Sequence, residues 1–129
     1  MQLTCRLASF ADLAVLECTG EVDLATLPRF RDALVRHVDL HPGQVVAVDV
    51  DGLAALDDAG LGILLGAGAR ARSRHGDVLV ICGSPRLRFR LGASRLDQAL
   101  DVHPTAVAAA AAAATPAVDE TAGVSSPTA

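Results

Sequence analysis

This 129-residue sequence predicts a small α/β domain with a mixed sheet of four to five strands and helices packed mainly on one face. Two observations carry that expectation. Two strand-like runs near the N-terminus are separated by a connector short enough for a hairpin, which implies an antiparallel pair. The later strand-like runs alternate with helix-periodic segments, the pattern of a layered α/β domain. The core has to be aliphatic. Hydrophobic residues make up 51% of the chain, yet it contains only three Phe and neither Tyr nor Trp.

Leu3, Cys5 and Leu7 alternate with Thr4, Arg6 and Ala8, the period of a half-buried strand. Leu13 to Cys18 reads as the second strand, with Ser9 to Asp12 as the connection. After Gly20-Glu21-Val22-Asp23 a helix follows, with Thr26 as its expected cap and Pro28 in its first turn, where a missing N–H costs nothing. Leu27, Phe30, Leu34 and Val38 form its inward stripe, and Arg29, Asp32 and Arg36 its solvent side. His41-Pro42-Gly43 stops it.

The run from Val45 to Val50 is nearly all apolar, as in a central strand. Residues 58 to 74 read as a helix with Leu61, Leu64 and Leu65 inward. Its glycines, at 60, 62, 66 and 68, each lower helix propensity by about 1 kcal/mol relative to Ala, which implies a close approach or a narrow helix start. Val78 to Cys82 is the next strand. Gly83-Ser84-Pro85 opens a short helix through Leu91, and residues 96 to 100 form another helical piece. Seven consecutive alanines from Ala108 to Ala114 predict a terminal helix, partly docked, that ends at Thr115-Pro116. The expected domain therefore spans 1–115, with a disordered tail over 116–129.

Composition removes several function classes. The net charge is −4, from 11 Arg, no Lys and 15 acids, which is not the basic footprint of a nucleic-acid binder and gives no attraction to an anionic membrane. The absence of lysine removes Schiff-base and P-loop chemistry, and with it a receiver-type phospho-aspartate paired to lysine. No apolar run is long enough to span a bilayer. Cys5, Cys18 and Cys82 lie in strand-like runs, follow no signal peptide and have no His close in sequence, so they read as buried, reduced thiols of a cytoplasmic protein. His37, His41, His75 and His103 read as unclustered surface positions in loops and helix ends, and Arg86, Arg88 and Arg90 as a solvated helix face.

The informative stretch is Leu56-Asp57-Asp58-Ala59-Gly60-Leu61-Gly62, where a strand gives way through paired acids to a glycine-spaced helix. Together with Gly20-Glu21-Val22-Asp23 and Asp49-Val50-Asp51-Gly52, it resembles the STAS domain of bacterial anti-sigma factor antagonists, in order and spacing, over residues 1 to about 115. That family's usual turn is Asp-Ser-Ser/Thr-Gly-Leu. A partner that is both anti-sigma factor and serine kinase phosphorylates the first Ser, and the unphosphorylated domain binds that partner and frees the sigma factor. By this resemblance Asp57 matches the leading Asp, Gly60-Leu61-Gly62 the helix start, and Asp23 the acidic turn near the phosphosite. Asp58 stands where the phosphorylated Ser belongs, and Ala59 where the second hydroxyl often stands.

Phosphoserine carries about −1.5 to −2 charges and three acceptor oxygens, against one charge and two oxygens for Asp58. Two readings of Asp58 coexist: a fixed phospho-like signal, or a helix N-cap of about 1 kcal/mol. Three acids from two turns do not make a metal motif, so no metal and no cofactor are expected. The resemblance thus implies a non-enzymatic regulatory module contacting its partner through Asp23, Asp57, Asp58, Ala59, Gly60, Leu61 and Gly62, without a phosphorylatable group at 58. The implied partner is an anti-sigma factor of serine-kinase type or another STAS-domain protein, with the chain a monomer or weak dimer. The alternative is a structural STAS scaffold subunit of a larger signalling assembly.

Overall fold

The computed structural model describes residues 2–114. The expected tail and the end of the alanine helix at Thr115-Pro116 lie outside them. Five strands form one sheet in the order β1-β2-β3-β4-β5: Thr4–Phe10, Leu13–Val22, Val45–Leu56, Asp77–Ile81 and Asp101–His103. The first pair is antiparallel and every later pair is parallel.

Strand order follows chain order, so the three parallel crossovers never reverse direction along the sheet. Right-handed crossovers that all run one way deliver their helices to one face. These are α1 (Leu27–Asp39), α2 (Asp58–Arg72), α3 (Pro85–Ala93) and α4 (Leu96–Ala99). Phe30, Leu34, Leu64, Leu87 and Leu91 from these helices pack with Leu16, Val46, Val48, Val50, Val78 and Val80 of the sheet in the main core. The opposite face is left to α5 (Ala106–Ala114). Its alanines let it lie close on Leu13, Val15, Ala47, Leu79 and Ile81, with Ala109 fully buried.

Several local expectations are corrected. The hairpin connection is the pair Ala11 and Asp12 alone, both at positive φ (50° and 69°), a tight turn whose twist suits the flanking strands. The third strand runs on to Leu56, because its pairing with β2 gains an extra residue at two points, between Asp49 and Gly52 and between Leu53 and Ala55. The segment around His103 is the short edge strand β5, formed by pairing with β4 rather than by any alternation of its own. His37 is not at the surface. It falls on the same stripe as Phe30, Leu34 and Val38, is fully buried, and its Nε2 lies 2.9 Å from the Ala47 carbonyl oxygen. Leu65 is exposed, not inward, and Leu7 is exposed as well.

Candidate functional site

The parallel strands β2, β3 and β4 all end at one edge of the sheet, and the acidic turns sit there. Asp57 N–H donates to the Val22 carbonyl (3.3 Å), so the Asp23 turn and the start of α2 are neighbours across β2 and β3. Asp23 organises its own turn. Its Oδ1 accepts from the backbone N–H groups of Ala25 (3.0 Å) and Thr26 (3.1 Å). Thr26 occupies the N-cap position of α1, but its hydroxyl donates to the Glu21 carbonyl (2.8 Å) and makes no cap bond, contrary to expectation. Pro28 does lie in the first turn.

At α2 the cap is Asp57, not Asp58. Asp57 has an extended backbone (φ −83°, ψ 176°), and its Oδ1 accepts from the Gly60 N–H at 2.9 Å. The reason is the length of β3. The residue following Leu56 is the one still extended when the helix begins, and an N-cap needs that conformation. Asp58, the first helical residue, is released from capping, and its side chain is 95% exposed. Arg90, on α3, donates to Asp58 Oδ1 at 2.8 Å.

The remaining residues of the motif divide by burial. Ala59 and Gly62 are exposed, whereas Gly60 and Leu61 are buried and act on the geometry from beneath. A Cβ on Gly60 would lie 2.7 Å from Leu56 Cδ1 and 2.8 Å from Val22 Cγ1, so only glycine lets the helix start sit this close to both strand ends. Gly68 is similarly close to Leu100, while Gly62 and Gly66 face open space. Close approach therefore explains two of these four glycines.

Three arginines read as a solvated face are tethers instead. Arg86 donates to the Ala54 carbonyl (2.9 Å), Arg88 to the Cys82 carbonyl (3.0 Å), and Arg90 to Asp58. Asp51 completes the attachment of α3. Its Oδ1 accepts from Gly83 N–H (2.6 Å) and Ser84 N–H (3.0 Å), placing Ser84 to cap the helix through a bond from Leu87 N–H (3.4 Å). The sequence signal for α3's outer face was available: with Leu87 and Leu91 inward at four-residue spacing, Phe89 has to point away, and it is 79% exposed. Leu24, next to Asp23, is 85% exposed.

The edge thus presents a fixed carboxylate with its own arginine, and exposed Leu and Phe side chains in the turn after β2 and on α3. Because strand order never reverses, there is no switch point to open a ligand crevice between these strand ends. Among the described residues, no group of three or more His, Cys, Asp or Glu is placed to hold a metal ion. None of the described helices is long and apolar enough to cross a membrane.

The comparisons agree with this architecture. Residues 5–104 match the family described as "Mlab, STAS domain", and the chain belongs to that STAS-domain family. Among solved structures, an anti-sigma factor antagonist from Mycobacterium paratuberculosis has 23% identity and a TM-score of 0.78, covering 87% of this chain and 94% of that one. An anti-sigma-factor antagonist (STAS) domain protein from Planctomyces limnophilus has 14% identity and a TM-score of 0.72, covering 86% and 98%. The Bacillus cell fate determinant SpoIIAA in its phosphorylated form has 19% identity and a TM-score of 0.60, covering 82% and 96%. At these identities the likeness is one of fold. No curated protein matches the sequence.

Proposed function

We propose that this chain is a cytoplasmic, non-enzymatic regulatory module that acts like an anti-sigma factor antagonist but is not switched by phosphorylation at position 58. The observation that carries the reading is Asp58: exposed, freed from capping by Asp57, and held by Arg90 at the start of α2. Its partner contacts are Asp23, Asp58, Ala59 and Gly62 at the surface, with Asp57, Gly60 and Leu61 holding the frame.

The charge decides partner choice. A partner that seats a neutral serine hydroxyl would have to strip water from a carboxylate, and a buried, unpaired charge costs several kcal/mol. Arg90 offsets part of that cost by pairing with one oxygen, which leaves the other free for a donor on the partner. An anti-sigma factor offering an arginine or a backbone N–H at this point fits, and the complex is constitutive.

Pull-down and titration of wild type against Asp58→Ser, with anti-sigma factors of serine-kinase type, tests the reading. Affinities for the same partner are expected to differ by at least about tenfold, or 1.4 kcal/mol. Equal affinities would remove Asp58 from partner selection. Incubation with ATP and the same kinases, followed by phosphosite mapping, is expected to find phosphate on the introduced serine of the variant and none at the start of α2 in wild type. Stoichiometric phosphate on Ser84 or Ser94 would mean that the switch has moved. A scaffold subunit of a larger assembly would instead show a multi-subunit mass by size exclusion.

A further inference from the structure

Cys5 and Cys18 are direct cross-strand partners in the antiparallel β1–β2 ladder. Directly opposed residues in such a ladder have Cα atoms about 4.5 or 5.5 Å apart, both inside the range that a disulfide spans. Both thiols face the main core on the α1 side of the sheet, and the Cys18 thiol donates to the Leu16 carbonyl at 3.9 Å. Their exposures differ. Cys18 is fully buried, while Cys5 is half-buried and lines a groove of about 360 Å³ between α1 and the β1–β2 edge.

The groove is suited to a small polar oxidant. Arg29, Arg36 and Asp32 line it, together with His37, whose buried Nδ1 has no hydrogen-bond partner among the described residues. The neighbouring Cys18 thiol, and then the Arg29 charge, hold the Cys5 thiol below the ordinary range of cysteine, while its own burial opposes them. Cys18 is pushed the other way by the neighbouring Cys5 thiol and by burial. The pair therefore has one accessible nucleophile and one buried resolving thiol, the division of labour that thiol oxidation requires.

We propose that Cys5 and Cys18 form a reversible thiol–disulfide site, oxidised by hydroperoxides that reach Cys5 through the groove between α1 and the β1–β2 edge. The Cys5 thiolate attacks the peroxide. A sulfur–oxygen bond forms, the oxygen–oxygen bond breaks, and hydroxide leaves (alkoxide from an organic peroxide). Cys18 then attacks the Cys5 sulfenic acid. Its proton and the sulfenic hydroxyl depart as water, and the sulfur–sulfur bond closes across the hairpin. With hydrogen peroxide, two thiols and one peroxide become one disulfide and two waters. Cys82 takes no part, being buried near Asp51 with its thiol raised mainly by burial.

The full chain, reduced and then given equimolar hydrogen peroxide, provides the test. The three cysteines fall on separate tryptic peptides, since arginines at 6, 29, 74 and 86 divide them. The expected product is a monomer lighter by two hydrogen atoms, with the Cys5 and Cys18 peptides linked, Cys82 still alkylatable, and full reversal by dithiothreitol. In limited alkylation of the reduced protein, Cys5 should react at least about tenfold faster than Cys82. Cys82→Ser should behave as wild type, and Cys18→Ser should stop at a Cys5 sulfenic acid trapped by dimedone. If Cys18→Ser fails to fold, the wild-type and Cys82→Ser products decide alone. Cys82 oxidising as fast as Cys5, inter-chain dimers as the main product, or Cys5 overoxidised without a link to Cys18 would each overturn the assignment.

Discussion

Gly60 and Gly66 lie on the same helix, yet the same substitution should move stability in opposite directions at the two positions. At Gly66 a Cβ meets nothing within 4 Å, so Gly66→Ala collects only the helix-propensity gain of about 1 kcal/mol. At Gly60 the new methyl would sit 2.7 Å from Leu56 Cδ1 and 2.8 Å from Val22 Cγ1, more than half an ångström inside ordinary carbon contact. Both neighbours are buried at 4% exposure or less, so neither can swing into solvent. Overpacking of this kind costs about 1–3 kcal/mol. It exceeds whatever propensity is gained at a first-turn position, leaving Gly60→Ala destabilised by about 1–2 kcal/mol and the two variants about 2–3 kcal/mol apart. Urea denaturation with a shared m-value measures the gap, and thermal melts should show Tm values about 8–12 °C apart for a domain of this size. If Gly60→Ala proved as stabilising as Gly66→Ala, the claim that glycine admits the helix start between β2 and β3 would fail.

Three more outcomes follow from the same contacts. Asp57→Ala should cost about 1 kcal/mol through the lost cap to Gly60 N–H, whereas Asp58→Ala, whose side chain is almost fully exposed, should leave the urea midpoint nearly unmoved; the reverse order would return the cap to Asp58. Replacing Ala11-Asp12 with Asn-Gly, which suit two consecutive positive φ angles, should raise stability by about 1 kcal/mol in urea titration, and no gain would argue against that turn. Burial holds the His37 imidazole below its ordinary value of 6.5. The unfolded chain therefore takes up a proton there first, so the stabilising effect is complete above pH 6.5 and is lost as pH falls below it. Comparison of urea midpoints at pH 8 and pH 5.5 should show that loss, and His37→Gln should flatten it. An unchanged slope in the variant would assign the pH dependence elsewhere.

Much of the architecture was legible locally because short-range patterns are set by short-range physics. Alternation over Thr4–Arg6, the apolar run at Val45–Val50, and the four-residue spacing of Phe30, Leu34 and Val38 each report one element's buried side without reference to any other element. Pro28 and Ser84-Pro85 marked helix starts for the same reason. His37 was legible too, lying three residues beyond Leu34 on the same stripe, but a titratable side chain invites a surface reading until its carbonyl partner is known. The edge strand β5 has only three residues and no pattern of its own. It exists because β4 offers an unpaired edge, and that is a property of the assembled sheet.

The chain alone specified the aliphatic α/β layers, the absence of lysine chemistry and an acidic turn whose Asp58 occupies the position that the family resemblance gives to a phosphorylatable Ser. Tertiary structure decided what that Asp does. Whether 57 or 58 caps α2 depends on where β3 stops, and β3 stops where its bulged pairing with β2 ends. Whether Asp58 stands free or paired depends on Arg90, 32 positions away, which α3 brings to it only once Asp51 has anchored Gly83 and Ser84. Such contacts leave no periodicity in the sequence, because they are made by side chains whose separation is fixed by packing rather than by the repeat of a helix or strand.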